Sequence, residues 1–114
     1  MLISSAIRDE LVRRARNKKA RQSEFSPTAP CDWRPHQVLN PELGIPFTDV
    51  GAWHFIADLL EAGHEVTELD MDKPKGQTGY VLKAQGYADC PAIYIKLTLS
   101  ANKVNGRSFH YDER

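Results

Sequence analysis

The chain has 114 residues, 41% of them hydrophobic and 26% charged, with a formal net charge of zero, a composition ordinary for one globular domain with its own core. No apolar run approaches the roughly 20 residues that a membrane-spanning helix needs. The charges of the first segment follow its short apolar stretch, the reverse of a signal peptide, so we expect a cytoplasmic protein with no membrane partner.

The two cysteines, Cys31 and Cys90, are too few for a disulfide framework. Cys31 and His36 lie five residues apart, but no second Cys/His pair is near them in sequence to complete a tetrahedral zinc site. We therefore expect neither a metal nor another cofactor.

The zero net charge hides an asymmetry along the chain. In residues 1–24, seven Lys and Arg against three Asp and Glu give +4, and the remaining eight against twelve give −4. A basic segment joined to a mildly acidic body favours contact with RNA or DNA through that segment. A solvated helix face is an equally good interpretation.

The basic segment also carries a helical pattern. Its apolar residues recur every four positions and fit one stripe of a helix that Ser4 or Ser5 can cap: Ile3, Ile7, Leu11 and Ala15. The five prolines of residues 26–47 exclude a continuous element there, while Trp33, Val38 and Leu39 can pin this stretch to the body. We therefore divide the chain into a basic helical arm with a Pro-rich linker, residues 1–46, and a folded domain, residues 47–114.

The clearest predicted element is a second helix. Thr48 or Asp49 is the expected N-cap, Phe47 precedes it in a stapling position, and Gly63 suits the left-handed residue that ends the helix. One face is apolar at helical spacing, and Phe55 and Leu59 widen it: Val50, Trp53, Ile56, Ala57 and Leu60.

After this helix the hydrophobic period changes to two, which predicts four strands joined by short turns. The strands are expected at residues 64–71, 80–85, 92–100 and 104–111, with a polar turn at residues 72–79. Short connections imply an antiparallel meander. The predicted fold class is α+β, with the amphipathic helix packed on a four-stranded antiparallel sheet.

The third of these strands separates its side chains onto two faces. Ile93, Ile95, Leu97 and Leu99 should face the core, which leaves Tyr94, Lys96 and Thr98 on the opposite, open face. Residues two apart on a strand are about 6–7 Å apart, the scale of one phosphodiester unit.

On the next strand Arg107 and His110 fall on opposite faces, so only one of them can join Tyr94 and Lys96 unless a bulge intervenes. Gly106, which follows Asn105, makes such a bulge plausible.

These residues match the needs of RNA cleavage without a metal, which requires a base, a cation beside the phosphate and an acid for the leaving oxygen. His110 can be acid or base, and Lys96 and Arg107 suit the phosphate. Tyr94 or Tyr80 can donate a proton or stack on a base.

Further substrate contacts are predicted in and after the polar turn, at Lys73, Lys75, Gln77 and Lys83. Each signal also has a structural interpretation. A lysine on an edge strand guards against aggregation, a histidine near a terminus is often a surface residue, and a Lys-Pro-Lys-Gly turn is usually only a turn.

The last two predicted strands resemble those of the RelE-like bacterial toxins, most of all the motility quorum-sensing regulator toxins. In those toxins a Tyr-x-Lys strand precedes a strand that ends in Ser-Phe-Lys. Tyr94 and Lys96 fit the first motif, and Ser108 and Phe109 fit the second, followed here by His110 instead of Lys. The resemblance covers roughly residues 50–114 as a helix followed by a meander, and the first 46 residues have no counterpart in the short toxins.

This resemblance implies an endoribonuclease that cleaves messenger RNA, free or on the ribosome, and a cognate antitoxin protein that neutralises it. Two other functions fit the residues. One is a non-catalytic module that binds nucleic acid or protein through the basic arm, and the other is a structural or regulatory protein that pairs through its last strand by edge addition.

Overall fold

The computed structural model describes residues 3–23, 31–71 and 76–112, in which two helices cover one face of a six-stranded mixed sheet. The helices are α1 (Ser5–Ala15) and α2 (Asp49–Glu61). The strands are β1 (Arg21–Gln22), β2 (Asp32–Trp33), β3 (Thr67–Asp70), β4 (Thr78–Ala84), β5 (Ile93–Leu99) and β6 (Val104–Tyr111). The α+β class is confirmed. Within the described residues, neither helix has the length and apolarity that crossing a membrane requires.

Both helices begin as the sequence indicates, and α2 also ends as predicted. The Ser4 hydroxyl accepts a hydrogen bond from the Ile7 amide at 3.2 Å, and the Thr48 hydroxyl accepts one from the Gly51 amide at 2.9 Å. Gly63 follows α2 with φ +83°. The prediction that Val50 belongs to the buried face of α2 was wrong, because its side chain is 51% exposed. That face begins only at Ala52, so the first turn of α2 extends beyond the core.

The antiparallel order β6-β5-β4-β3 agrees with the predicted meander, but the sheet continues beyond it. Two short strands pair parallel to β6, with Arg21 opposite Val104 and Asp32 opposite Ser108. The last strand is therefore interior, between β5 on one side and β1 and β2 on the other. The prediction of a free edge at the last strand was wrong, because β1 and β2 already pair with that side of β6.

The predicted arm and linker share the core of the predicted domain. Leu11 of α1 and Val38 after β2 are fully buried in the same cluster as Leu60 of α2. Trp33 of β2 packs with its ring centroid 4.9 Å from Trp53 and 5.4 Å from Phe109. These contacts anchor β2 against β6, beside the predicted site residues.

The arginines of the basic segment contact the rest of the fold. Arg8 donates to the carbonyl of Leu60 at 2.9 Å, and Arg16 pairs with the carboxylates of Asp58 and Glu61. Arg14 donates to three carbonyl oxygens of the β5–β6 turn at 2.7, 3.1 and 3.3 Å. Much of the positive charge that singled out this segment therefore holds α1 in place.

Candidate functional site

A β-bulge places the predicted cationic residues on one face. Lys96 is opposite Ser108 and Leu97 is opposite Gly106, so Arg107 is the extra residue of β6. Its Nε donates to the Thr98 hydroxyl at 3.2 Å, on the face that points away from the helices. We call this face, formed by Tyr94, Lys96, Thr98, Asn105, Arg107 and His110, the site face. Because of this bulge, Arg107 and His110 can both lie on the same face as Tyr94 and Lys96.

The bulge adjoins a close approach of β2 to β6. A Cβ on Gly106 would lie 2.4 Å from Cζ3 of Trp33, so only glycine lets the indole pack there. This packing sets Asp32, the neighbour of Trp33, opposite Ser108 on the site face.

His110 has an oxygen atom near each of its ring nitrogens. Nδ1 is 2.8 Å from the carbonyl oxygen of Tyr111, and Nε2 is 3.5 Å from Oδ2 of Asp32. A carbonyl can only accept, so Nδ1 carries a proton in this hydrogen bond. Because the Tyr111 carbonyl holds the proton on Nδ1, Nε2, which lies 3.5 Å from Asp32, is the nitrogen through which His110 can exchange a proton with a substrate.

Two neighbours fix the position of the His110 ring. The ring of Tyr94, directly across the β5–β6 ladder, stacks on it with centroids 5.5 Å apart and an interplanar angle of 22°. Asp32 is itself held by Arg34 through two contacts, at 2.6 Å to Oδ1 and 2.9 Å to Oδ2. A bidentate pair of this kind restrains both side chains.

Asp32 and Arg34 were not among the residues predicted from the sequence, because they fall in the stretch that the prolines marked as a linker. The only local signal is the alternation Asp32-Trp33-Arg34, in which charged residues flank an aromatic one at period two. Two residues of alternation do not identify a strand.

The two cations of the site face differ in accessibility. Lys96 is half-buried and forms no ion pair with any residue in 3–23, 31–71 or 76–112. Arg107 is only 8% exposed, and this burial lowers the pKa of its guanidinium, an effect that the nearby Cys31 thiol opposes. Lys96 can therefore meet a phosphate directly, while Arg107 adds positive charge from beneath the surface.

Tyr94 keeps its proton. Burial raises the pKa of its phenol, and the carboxylate of Asp112 raises it further. A neutral phenol can stack and donate a hydrogen bond but cannot act as a base near neutral pH.

The other predicted contacts are scattered. Lys83 is on the site face, opposite Tyr94, with its ammonium 6.0 Å from that ring centroid and 3.4 Å from Asp112. Tyr80 is 8% exposed, opposite Leu97 on the helix-covered face, so it does not join the others. Gln77 lies just before β4, at the end of the sheet away from Tyr94. Lys73 and Lys75 lie outside the described residues.

An open cavity of about 520 Å³ adjoins His110. Its lining comes from the end of β6 and from the short helical turn after β2: Arg34, Gln37, Val38, His110 and Tyr111. The cavity thus has one permanently charged cation and one imidazole in its wall.

Within the described residues, no three His, Cys, Asp or Glu side chains gather closely enough to hold a metal ion. Comparisons with protein-family models, curated proteins and solved structures gave no match to the chain.

Proposed function

We propose that this protein is a metal-independent endoribonuclease, in which the 2′-hydroxyl of RNA attacks the adjacent phosphate on the site face. The observation that carries the proposal is the bulge at Arg107. Through it, one face of β5 and β6 holds a stacking phenol, a half-buried lysine, a buried arginine and a histidine: Tyr94, Lys96, Arg107 and His110.

Each side chain has a separate task in this reaction. Lys96 binds the scissile phosphate and offsets the charge that develops on its oxygens. Arg107, which donates a hydrogen bond to the Thr98 hydroxyl, adds positive charge beneath the same face. As the 2′-oxygen bonds to phosphorus, its proton passes to water in the half-open site. The bond from phosphorus to the 5′-oxygen breaks, and His110 gives that oxygen its proton. The products are a 2′,3′-cyclic phosphate and a free 5′-hydroxyl.

Messenger RNA as the substrate and an antitoxin as the protein partner are part of the same proposal, and both rest on the toxin resemblance. The rival function, a module that binds through its basic arm, is less well supported. Arg8, Arg14 and Arg16 are committed to contacts within the fold and have less charge to offer a partner.

Induced expression in bacteria tests the proposal. The parent should arrest growth and deplete RNA, whereas Lys96→Ala should do neither. Lys18→Ala, which removes an exposed lysine outside the site face, is the matched control and should behave as the parent. Arrest by the parent and by Lys96→Ala alike, or by neither, would contradict the proposal.

A further inference from the structure

The cavity beside His110 has no task in the reaction described above. We propose that it binds the nucleoside whose 5′-oxygen is the leaving group, an inference that rests on the proposed ribonuclease function. The cavity would therefore be the subsite on the downstream side of the cut, with Gln37 as a residue that contacts the base.

The position of the acid decides which nucleoside this is. His110 protonates the leaving 5′-oxygen, so the sugar attached to that oxygen must lie against the imidazole. His110 lines the cavity that it shares with Arg34 and Gln37, so this cavity is the place for that sugar and its base. The upstream nucleoside then lies on the other side of His110, over Tyr94 and Lys83, which already form a stacking and cationic surface.

The walls of the cavity suit a base. The Gln37 side chain is exposed, and its amide offers both a donor and an acceptor to a base edge. Arg34 is held in place by its two contacts with Asp32, and a fixed guanidinium plane can stack on a base. The volume of about 520 Å³ lies within the range of roughly 300–1,000 Å³ usual for small-ligand sites.

The walls are also held in place before any ligand arrives. The turn that carries Gln37 is closed by hydrogen bonds from the Gln37 amide to the Arg34 carbonyl at 3.1 Å and from the Val38 amide to the Pro35 carbonyl at 3.0 Å. The Tyr111 hydroxyl accepts a hydrogen bond from the Leu39 amide at 2.9 Å. The free-energy cost of ordering this backbone when a ligand binds is therefore small.

A nucleoside 5′-monophosphate is the simplest probe, because its phosphate occupies the scissile position when its base is in the cavity. We would titrate the full chain with the four nucleoside 5′-monophosphates and their 3′ counterparts, following the Gln37 side-chain amide and the His110 ring by NMR. The 5′ series should shift both signals and bind more tightly. Gln37→Ala should weaken this binding about fivefold, the loss of one net hydrogen bond. His36→Ala, at an exposed neighbour that does not line the cavity, should bind as the parent.

RNA cleavage measured in parallel separates the two proposals. If the protein cuts RNA but no nucleotide shifts the Gln37 signal, or if Gln37→Ala and His36→Ala bind equally well, the subsite is refuted and the ribonuclease stands. If 5′-monophosphates bind as described but RNA stays intact, the cavity is a nucleotide site and the ribonuclease proposal fails. Neither binding nor cleavage would refute both.

Discussion

Gly106→Ala should destabilise the fold by forcing β2 away from β6. The new Cβ would lie 2.4, 2.6 and 2.8 Å from three ring carbons of Trp33, far inside the roughly 3.5–4.0 Å at which carbon atoms attract. The Trp33 indole cannot easily move aside. It packs on Trp53 and Phe109 and donates from Nε1 to Asp49 at 2.8 Å.

Overpacking of this kind costs about 1–3 kcal/mol. For a chain of this size each kcal/mol lowers the melting temperature by about 4 °C, so we expect a loss of about 4–12 °C. Because β2 also carries Asp32, RNA cleavage should fall more than the folded fraction alone explains.

Urea and thermal unfolding, followed by tryptophan fluorescence and circular dichroism, measure this effect. Gly79→Ala is the matched control, since its Cβ would meet the flexible side chain of Met71 at 3.2 Å and the Leu69 carbonyl oxygen at an ordinary contact distance of 3.5 Å. In a Trp33→Phe background the cost of Gly106→Ala should shrink, because much of the opposing ring is gone. A Gly106→Ala protein as stable as Gly79→Ala would refute the packing argument, and an equal cost in both backgrounds would assign it to another contact.

Three further predictions concern the arm, the histidine and the tyrosines. Arg14→Ala should lower the free energy of unfolding by about 1–3 kcal/mol in urea titrations, because three turn carbonyls lose their hydrogen bonds to the Arg14 guanidinium, whereas the exposed Arg13→Ala should change it little; equal effects would contradict this. Asp32→Asn should lower kcat for RNA cleavage roughly ten- to hundredfold with unfolding unchanged, since it releases the His110 ring, and should raise KM to a lesser degree, since Arg34 loses its carboxylate partner; a change in KM with kcat unchanged would contradict this. Burial raises the pKa of the phenols of Tyr80, Tyr94 and Tyr111 above their unfolded value of about 10. The stability that these neutral phenols contribute is therefore full below that pH and is lost as the pH rises through their folded pKa values. Urea midpoints that are equal at pH 9 and pH 11 would contradict this.

The parts of the fold that follow from the sequence are those set by local chemistry. The caps and apolar stripe of α2 specify a helix wherever it packs, and alternation of period two specifies β5. The strands β1 and β2 cannot be found this way, because each has two residues and pairs with a strand more than 70 positions later. Their pairing depends on long-range packing, above all that of Trp33.

The candidate site likewise has residues that the sequence predicts and residues that it does not. Periodicity places Tyr94 and Lys96 on one face, and Gly106 marks the neighbourhood of the bulge that adds Arg107. Nothing local connects Asp32 to His110, since 77 intervening residues separate them in the chain and only the β2–β6 pairing brings them together.

Cleavage of RNA by the purified protein in excess EDTA, with the chemistry of the new ends determined, tests the central claim most directly. We predict that the parent leaves 2′,3′-cyclic phosphate and 5′-hydroxyl ends, and that Lys96→Ala and His110→Ala, with unfolding curves like the parent's, leave the RNA intact. Cleavage by these variants at the parent's rate, fragments with 3′-hydroxyl ends, or no cleavage by the parent would contradict the account.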